Sequence, residues 1–91
     1  MAQTQIGTPY YASPEVWKDK PYGVKSDIWS LGCVIYEMAS LKHPFPASDV
    51  QTLYRKVCHG SYQKISSKYS SDLSSIISIL LKVNPKDRPS I

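Results

Sequence analysis

The side chains able to do chemistry in this 91-residue chain are few. Glu15 and Asp27 are carboxylates at the starts of two predicted helices, behind Ser13-Pro14 and Ser26. Thr4 and Thr8 are hydroxyls in a polar N-terminal segment that Gly7 and Pro9 keep irregular. Cys33 falls in an apolar run, Cys58 in a mixed one, and His59 adjoins Cys58. Neither cysteine has a second cysteine nearby or a histidine at metal spacing. Adjacent side chains on a helix diverge, and two ligands make no zinc site. Reduced thiols in a cytosolic or nuclear protein are the expectation. The basic residues exceed the acidic ones, 11 to 7, for a net charge of +4. They are scattered, from Lys18 and Lys20 through Lys42, Lys64 and Lys68 to Arg88. A nucleic-acid surface would want a stripe of cations with interleaved aromatics, so this spread reads as a solvated exterior.

The elements that must position these groups are helical. Residues 1–12 read as irregular. Ser13-Pro14-Glu15 starts a short helix: serine caps, proline suits the first position, and glutamate suits the positive end of the dipole. Pro21-Tyr22-Gly23 is expected to end it. Ser26 and Asp27 open a second helix whose apolar residues, from Ile28 to Leu41, cover nearly the whole circumference. Such a helix must be buried on all sides or lie in a membrane. Its most apolar stretch, Leu31 to Tyr36, is too short to span a bilayer, and the N-terminus shows no secretory pattern. The helix therefore needs wrapping, and one small domain has little left to wrap it with. His43-Pro44-Phe45-Pro46 reads as a rigid link. Ser48 to Gln51 fits a capping box opening a third helix that runs to about His59, with Gly60 as its stop. Residues 61–69 read as loop. A last helix begins near Ser70 or Ser71, with Leu73, Ile76, Ile77, Leu80 and Leu81 on one buried face, and Asn84-Pro85 ends it. No repeat, interdomain linker or strand emerges.

Five motifs at compatible spacing resemble one family. These are Gly7-Thr8-Pro9-Tyr10-Tyr11, followed by Ser13-Pro14-Glu15; the run from Ser26-Asp27-Ile28-Trp29 to Tyr36-Glu37-Met38; Leu41-Lys42-His43-Pro44-Phe45; Gly60-Ser61-Tyr62; and Asn84-Pro85-Lys86-Asp87-Arg88-Pro89-Ser90. Together they resemble a eukaryotic protein kinase of the NIMA-related group, and the likeness spans nearly the whole chain. It implies a mainly α fold, the incomplete helical part of a kinase C-terminal lobe with the helices lettered EF, F, G and H. Residues 1–12 would be the end of the activation segment and 13–91 the helical lobe, as a partial kinase domain.

The resemblance also assigns roles. Thr8 matches the threonine that marks a preference for serine and threonine substrates. Gly7 and Pro9, Tyr10 and Tyr11 match the loop that receives the residue after the phosphoacceptor. Thr4 matches a site of activating phosphorylation, where a dianion orders the segment by pairing with arginine. Glu15 and Arg88 match a buried ion pair. Asp27 matches an aspartate that anchors the catalytic loop and would here be left to cap its own helix. Trp29 is of the buried type. Val34 and Met38 match positions in a packed column and read as core, and Glu37, at a substrate-contact position in some kinases, reads as structural. Ser13 departs from the usual alanine, as a serine cap does in this group.

The nucleotide-binding parts are missing. There is no glycine-rich loop, no paired lysine, no His-Arg-Asp and no Asp-Phe-Gly, the parts that hold ATP and magnesium in the parent enzyme. The one Asp-Arg step, Asp87-Arg88, lies in the terminal turn. The leading expectation is thus a serine/threonine kinase fragment that binds no cofactor by itself and is inactive alone. Two others stand beside it: a docking or decoy module using residues 45–69, and an incomplete gene model without independent function. The expected partners are protein substrates or the missing kinase lobe, with no nucleic acid and no membrane. The expected location is cytoplasmic or nuclear, with cytoskeletal association as a family trait. The exposed apolar surface of the second helix predicts a marginal or molten fold in isolation.

Overall fold

A computed structural model describes residues 9–66 and 68–90; Thr4, Gly7 and Thr8 lie outside them. The described chain forms four helices, α1 (Pro14–Trp17), α2 (Val24–Ser40), α3 (Val50–His59) and α4 (Ser71–Leu80), then a 3₁₀ turn at Pro85–Asp87. No strand occurs among the described residues, and no helix there is long and apolar enough to cross a membrane. α2 packs against α4 and the 3₁₀ turn, and α1 against α3.

The local chemistry explains each boundary, sometimes one residue away from expectation. α1 ends at Trp17, ahead of Pro21. Asp19 takes a left-handed φ of 59°, and the Lys20 and Asp19 amides close back on the Glu15 and Val16 carbonyls, a two-bond stop of the Schellman type. Ser13 holds the cap position of α1, yet its hydroxyl is buried without a hydrogen-bond partner. α2 begins at Val24, two residues before Ser26, because Gly23 serves as its cap. The Ser26 hydroxyl instead faces back, accepting from the Gly23 amide at 3.4 Å. Asp27 does not cap its helix: it is exposed and accepts from the Tyr22 hydroxyl. For α3 the cap is Asp49, whose carboxylate accepts from the Thr52 amide at 2.7 Å; Ser48 stands exposed one residue outside. A carboxylate carries more charge to the helix dipole than a hydroxyl does. Gly60, at φ 66°, stops α3, and Ser70 caps α4 by accepting from Leu73.

The core gathers around Trp29, which is fully buried with Cys33, Phe45, Leu53, Val57 and Ile77. Trp29 and Phe45 stack with ring planes 7° apart. Gly32 allows α2 and α4 to meet: a Cβ there would stand 2.8 Å from Leu80 Cβ. The buried face of α4 is narrower than its periodicity suggests, because Ile76 is exposed while Ile77, Leu80 and Leu81 are buried.

The expectation that this chain leaves apolar surface of α2 uncovered is met, and the reading of Val34 and Met38 as core is corrected. Leu31, Val34, Met38 and Leu41 are 43%, 41%, 75% and 89% exposed, so Val34 and Met38 are not core in this chain. The remaining elements cover one side of α2, and these four side chains lie along the other.

Candidate substrate-seating site

Residues 9–12 have no regular structure of their own, apart from a turn in which the Ala12 amide reaches the Pro9 carbonyl at 3.3 Å. A segment so short is held by what it touches. The Ser30 hydroxyl, on α2, donates to the Tyr11 carbonyl at 2.8 Å. About two turns further along, Glu37 accepts from the Tyr11 hydroxyl at 2.5 Å. That bond, burial and the Glu37 charge push the Tyr11 hydroxyl above its ordinary pKa.

The third anchor is His43, in the link after α2. Its Nε2 lies 2.9 Å from the Tyr10 carbonyl oxygen and its Nδ1 accepts the Phe45 amide at 3.0 Å. A carbonyl can only accept and an amide only donate, so the ring is fixed as the neutral Nε2–H tautomer. Burial holds the His43 pKa below its usual value, against the opposing effects of the Tyr10 carbonyl and Glu37. The Tyr10 and Tyr11 rings lie 5.2 and 5.5 Å from the imidazole. Both tyrosines remain about 40% exposed, so the loop is pinned by its backbone and open on its outer side. A cavity of about 260 Å³ adjoins Tyr10, between Ala47, Asp49 and Leu53.

Below this seat the chain is cross-tied. Arg88, 2% exposed, meets Glu15 side by side, Nη1 to Oε2 at 2.7 Å and Nη2 to Oε1 at 2.9 Å. Its remaining donors go to the Lys82, Lys25 and Val83 carbonyls, so all five N–H groups are used. The guanidinium also lies 5.1 Å from the Trp29 ring. Glu15 accepts a further bond from the Ser26 hydroxyl at 2.7 Å. Burial alone would raise the Glu15 carboxyl, but the Arg88 and Ser26 hydrogen bonds outweigh it and hold the pKa at about 2.

Of the residues singled out in the sequence, the structure brings Glu15, Arg88 and Trp29 together, places Tyr11 against α2 and ties Tyr10 to His43 in the link that follows it. Asp27 stands apart from both groups. Ser30 and His43 carry the seat but were not singled out, because their partners lie 19 and 33 residues away.

The whole chain, residues 1–91, matches the protein kinase domain family. This chain is part of a protein kinase domain. It is 54% identical over its full length to human serine/threonine-protein kinase Nek5 and to mouse serine/threonine-protein kinase Nek1, covering 13% and 8% of those proteins. A probable serine/threonine-protein kinase nek3 of Dictyostelium discoideum is 51% identical and 8% covered. The kinship is with the NIMA-related serine/threonine kinases, and the helical architecture is that of a C-terminal-lobe portion. The chain therefore spans a small part of these relatives. Kinases of this family use ATP and magnesium. Among the described residues no three His, Cys, Asp or Glu side chains converge to hold a metal ion.

Proposed function

We propose that this chain seats the protein substrate in a NIMA-related serine/threonine kinase whose whole activity is transfer of the γ-phosphoryl of ATP, with magnesium, to serine or threonine hydroxyls. The observation that carries the reading is the triple anchoring of Tyr10 and Tyr11 by Ser30, Glu37 and His43. A backbone held this way keeps Tyr10 and Tyr11 in fixed positions beside a passing peptide, which is the positioning that phosphoryl transfer chiefly requires. On this reading Gly7, Thr8 and Pro9 continue the seat, Thr8 favours hydroxyl substrates, and Thr4 takes the activating phosphate. The 91 residues alone neither bind ATP nor transfer phosphate, and they act inside the cell, in cytoplasm or nucleus.

Calorimetry of the purified chain with magnesium and ATP is expected to show no binding, and stoichiometric magnesium-dependent binding would overturn that. For the seat, the chain is added to an active NIMA-related kinase with a protein substrate. Competition without turnover is expected, weakened by Ser30→Ala and His43→Ala; unchanged competition by both variants counts against the seat. A docking or decoy role through residues 45–69 is a second reading, favoured by the exposure of Val50 and Tyr54 on α3. It predicts that Tyr54→Ala abolishes competition while the two seat variants do not. The open face of α2 is suited to the rest of the kinase domain as its partner.

A further inference from the structure

A groove of about 250 Å³ lies between the C-terminal end of α2 and the segment that links α3 to α4. It has room for roughly eight waters at ~30 Å³ each, more than enough for a phosphoryl group. Two tyrosines build its walls. The Tyr36 hydroxyl donates to the Gln63 carbonyl, and the Tyr69 hydroxyl donates to the Ala39 carbonyl, so helix and loop are tied together at both ends. The Ser40 hydroxyl is also committed, donating to main-chain carbonyls and accepting the Lys42 amide at 3.2 Å. The Ser66 hydroxyl accepts the Lys68 amide at 3.3 Å, and the Lys68 ammonium lies 5.6 Å from the Tyr69 ring; the cations on the lining are Lys42, Lys64 and Lys68.

Among the described residues no carboxylate lines this groove. The negative end of the α2 dipole accounts for a cation at Lys42. It does not account for Lys64 and Lys68, which arrive from a separate segment. Three like charges around one concavity repel each other, and an anion placed among them relieves that repulsion. A phosphate monoester carries nearly two charges and three strong acceptor oxygens, against one charge and two oxygens for a carboxylate. Ile65 and the two tyrosine rings supply apolar surface for the carbons that carry it.

We infer that this groove binds a phosphate monoester, carried on a phosphoserine or phosphothreonine of a protein partner. The inference is independent of whether residues 9–11 seat the substrate, since the groove shares none of those residues.

The test is an amide chemical-shift titration of the 91-residue chain at constant ionic strength. The probes are a phosphoserine peptide, its unphosphorylated counterpart, inorganic phosphate, and vesicles bearing phosphorylated headgroups. The phosphopeptide is expected to shift amides near 40–42, 63–66 and 68–69 saturably, inorganic phosphate to shift the same amides more weakly, and the unphosphorylated peptide to shift none. The triple variant Lys42→Gln, Lys64→Gln, Lys68→Gln should weaken binding at least about tenfold. A charge-matched control, Lys18→Gln, Lys20→Gln, Lys86→Gln, should leave it unchanged. Should the triple variant lose its helical circular dichroism, Lys64→Gln and Lys68→Gln singly are read in its place. Equal weakening by both triples, no gain of phosphopeptide over free phosphate, or preference for the vesicles would each overturn the inference.

Discussion

Replacing Arg88 by alanine isolates what the buried ion pair does. The change strips five N–H donors from one site and leaves the Glu15 carboxylate, 7% exposed, with the Ser26 hydroxyl as its remaining side-chain donor. Breaking one side of a buried pair costs about 3–5 kcal/mol. Linkage gives a second route to the magnitude: a carboxyl that falls from 4.5 to about 2 on folding contributes about 3 kcal/mol at neutral pH. A domain of this length has a total stability of about 5–14 kcal/mol, and with one side of α2 uncovered this chain belongs at the low end, so the variant loses most of it. The pH dependence should change sign as well. In the native chain the folded pKa lies below the unfolded one, so the contribution is full above about pH 5 and is lost as pH falls toward 2. In Arg88→Ala burial is no longer outweighed, the folded pKa rises above the unfolded one, and stability is greatest in mild acid and declines as pH rises toward 7. Urea unfolding followed by tryptophan fluorescence at pH 5 and 7 measures both effects. A loss under about 1 kcal/mol, or a variant whose change in stability between pH 5 and 7 equals that of the native chain, which carries the same His43 contribution, would refute the assignment of the low carboxyl pKa to Arg88.

Three further outcomes are expected. Gly32→Ala drives a methyl into Leu80 and Leu81 across the α2–α4 contact and should cost about 1–3 kcal/mol in the same urea assay. His43 stays neutral in the folded chain, so acidification below its usual 6.5 toward its lower folded value removes stability and loosens the Tyr10 carbonyl bond. Proton NMR of Tyr10 and Tyr11 should report that transition in the native chain and not in His43→Asn. Burial, with the Glu37 charge, pushes the Cys33 thiol up to about 12, so under native conditions a disulfide-exchange reagent should label Cys58 and spare Cys33 until urea is added.

What the sequence made legible was whatever is written locally. The left-handed stop at Gly60 and the serine cap of α4 could be read because one or two residues decide each. The α3 cap was missed by a single position because Ser48 and Asp49 both have capping side chains and the charged one won. The start of α2 was misplaced for a related reason: Ser26 reads as a cap by type, yet its hydroxyl is drawn toward Glu15 and Gly23. Long-range contacts leave no such local mark. Motif resemblance supplied the Glu15–Arg88 partnership, but nothing near Ser30 or His43 announced the backbone of Tyr10 and Tyr11. The circumference of α2 was legible as a demand for burial that a short chain cannot meet, but not which side would stay open, so Val34 and Met38 were misread as core.

The tie between Glu15 and Arg88 joins residues 73 positions apart, which gives the chain a history as well as a shape. Synthesis proceeds from the N-terminus at roughly 5–20 residues per second, so α1 exists for about 4–15 s before its arginine has been made. During that interval Glu15 is a charge that cannot be buried without penalty, and α1 has reason to stay in water. Docking of α1 against α3 is therefore deferred until the final turn of the described chain arrives.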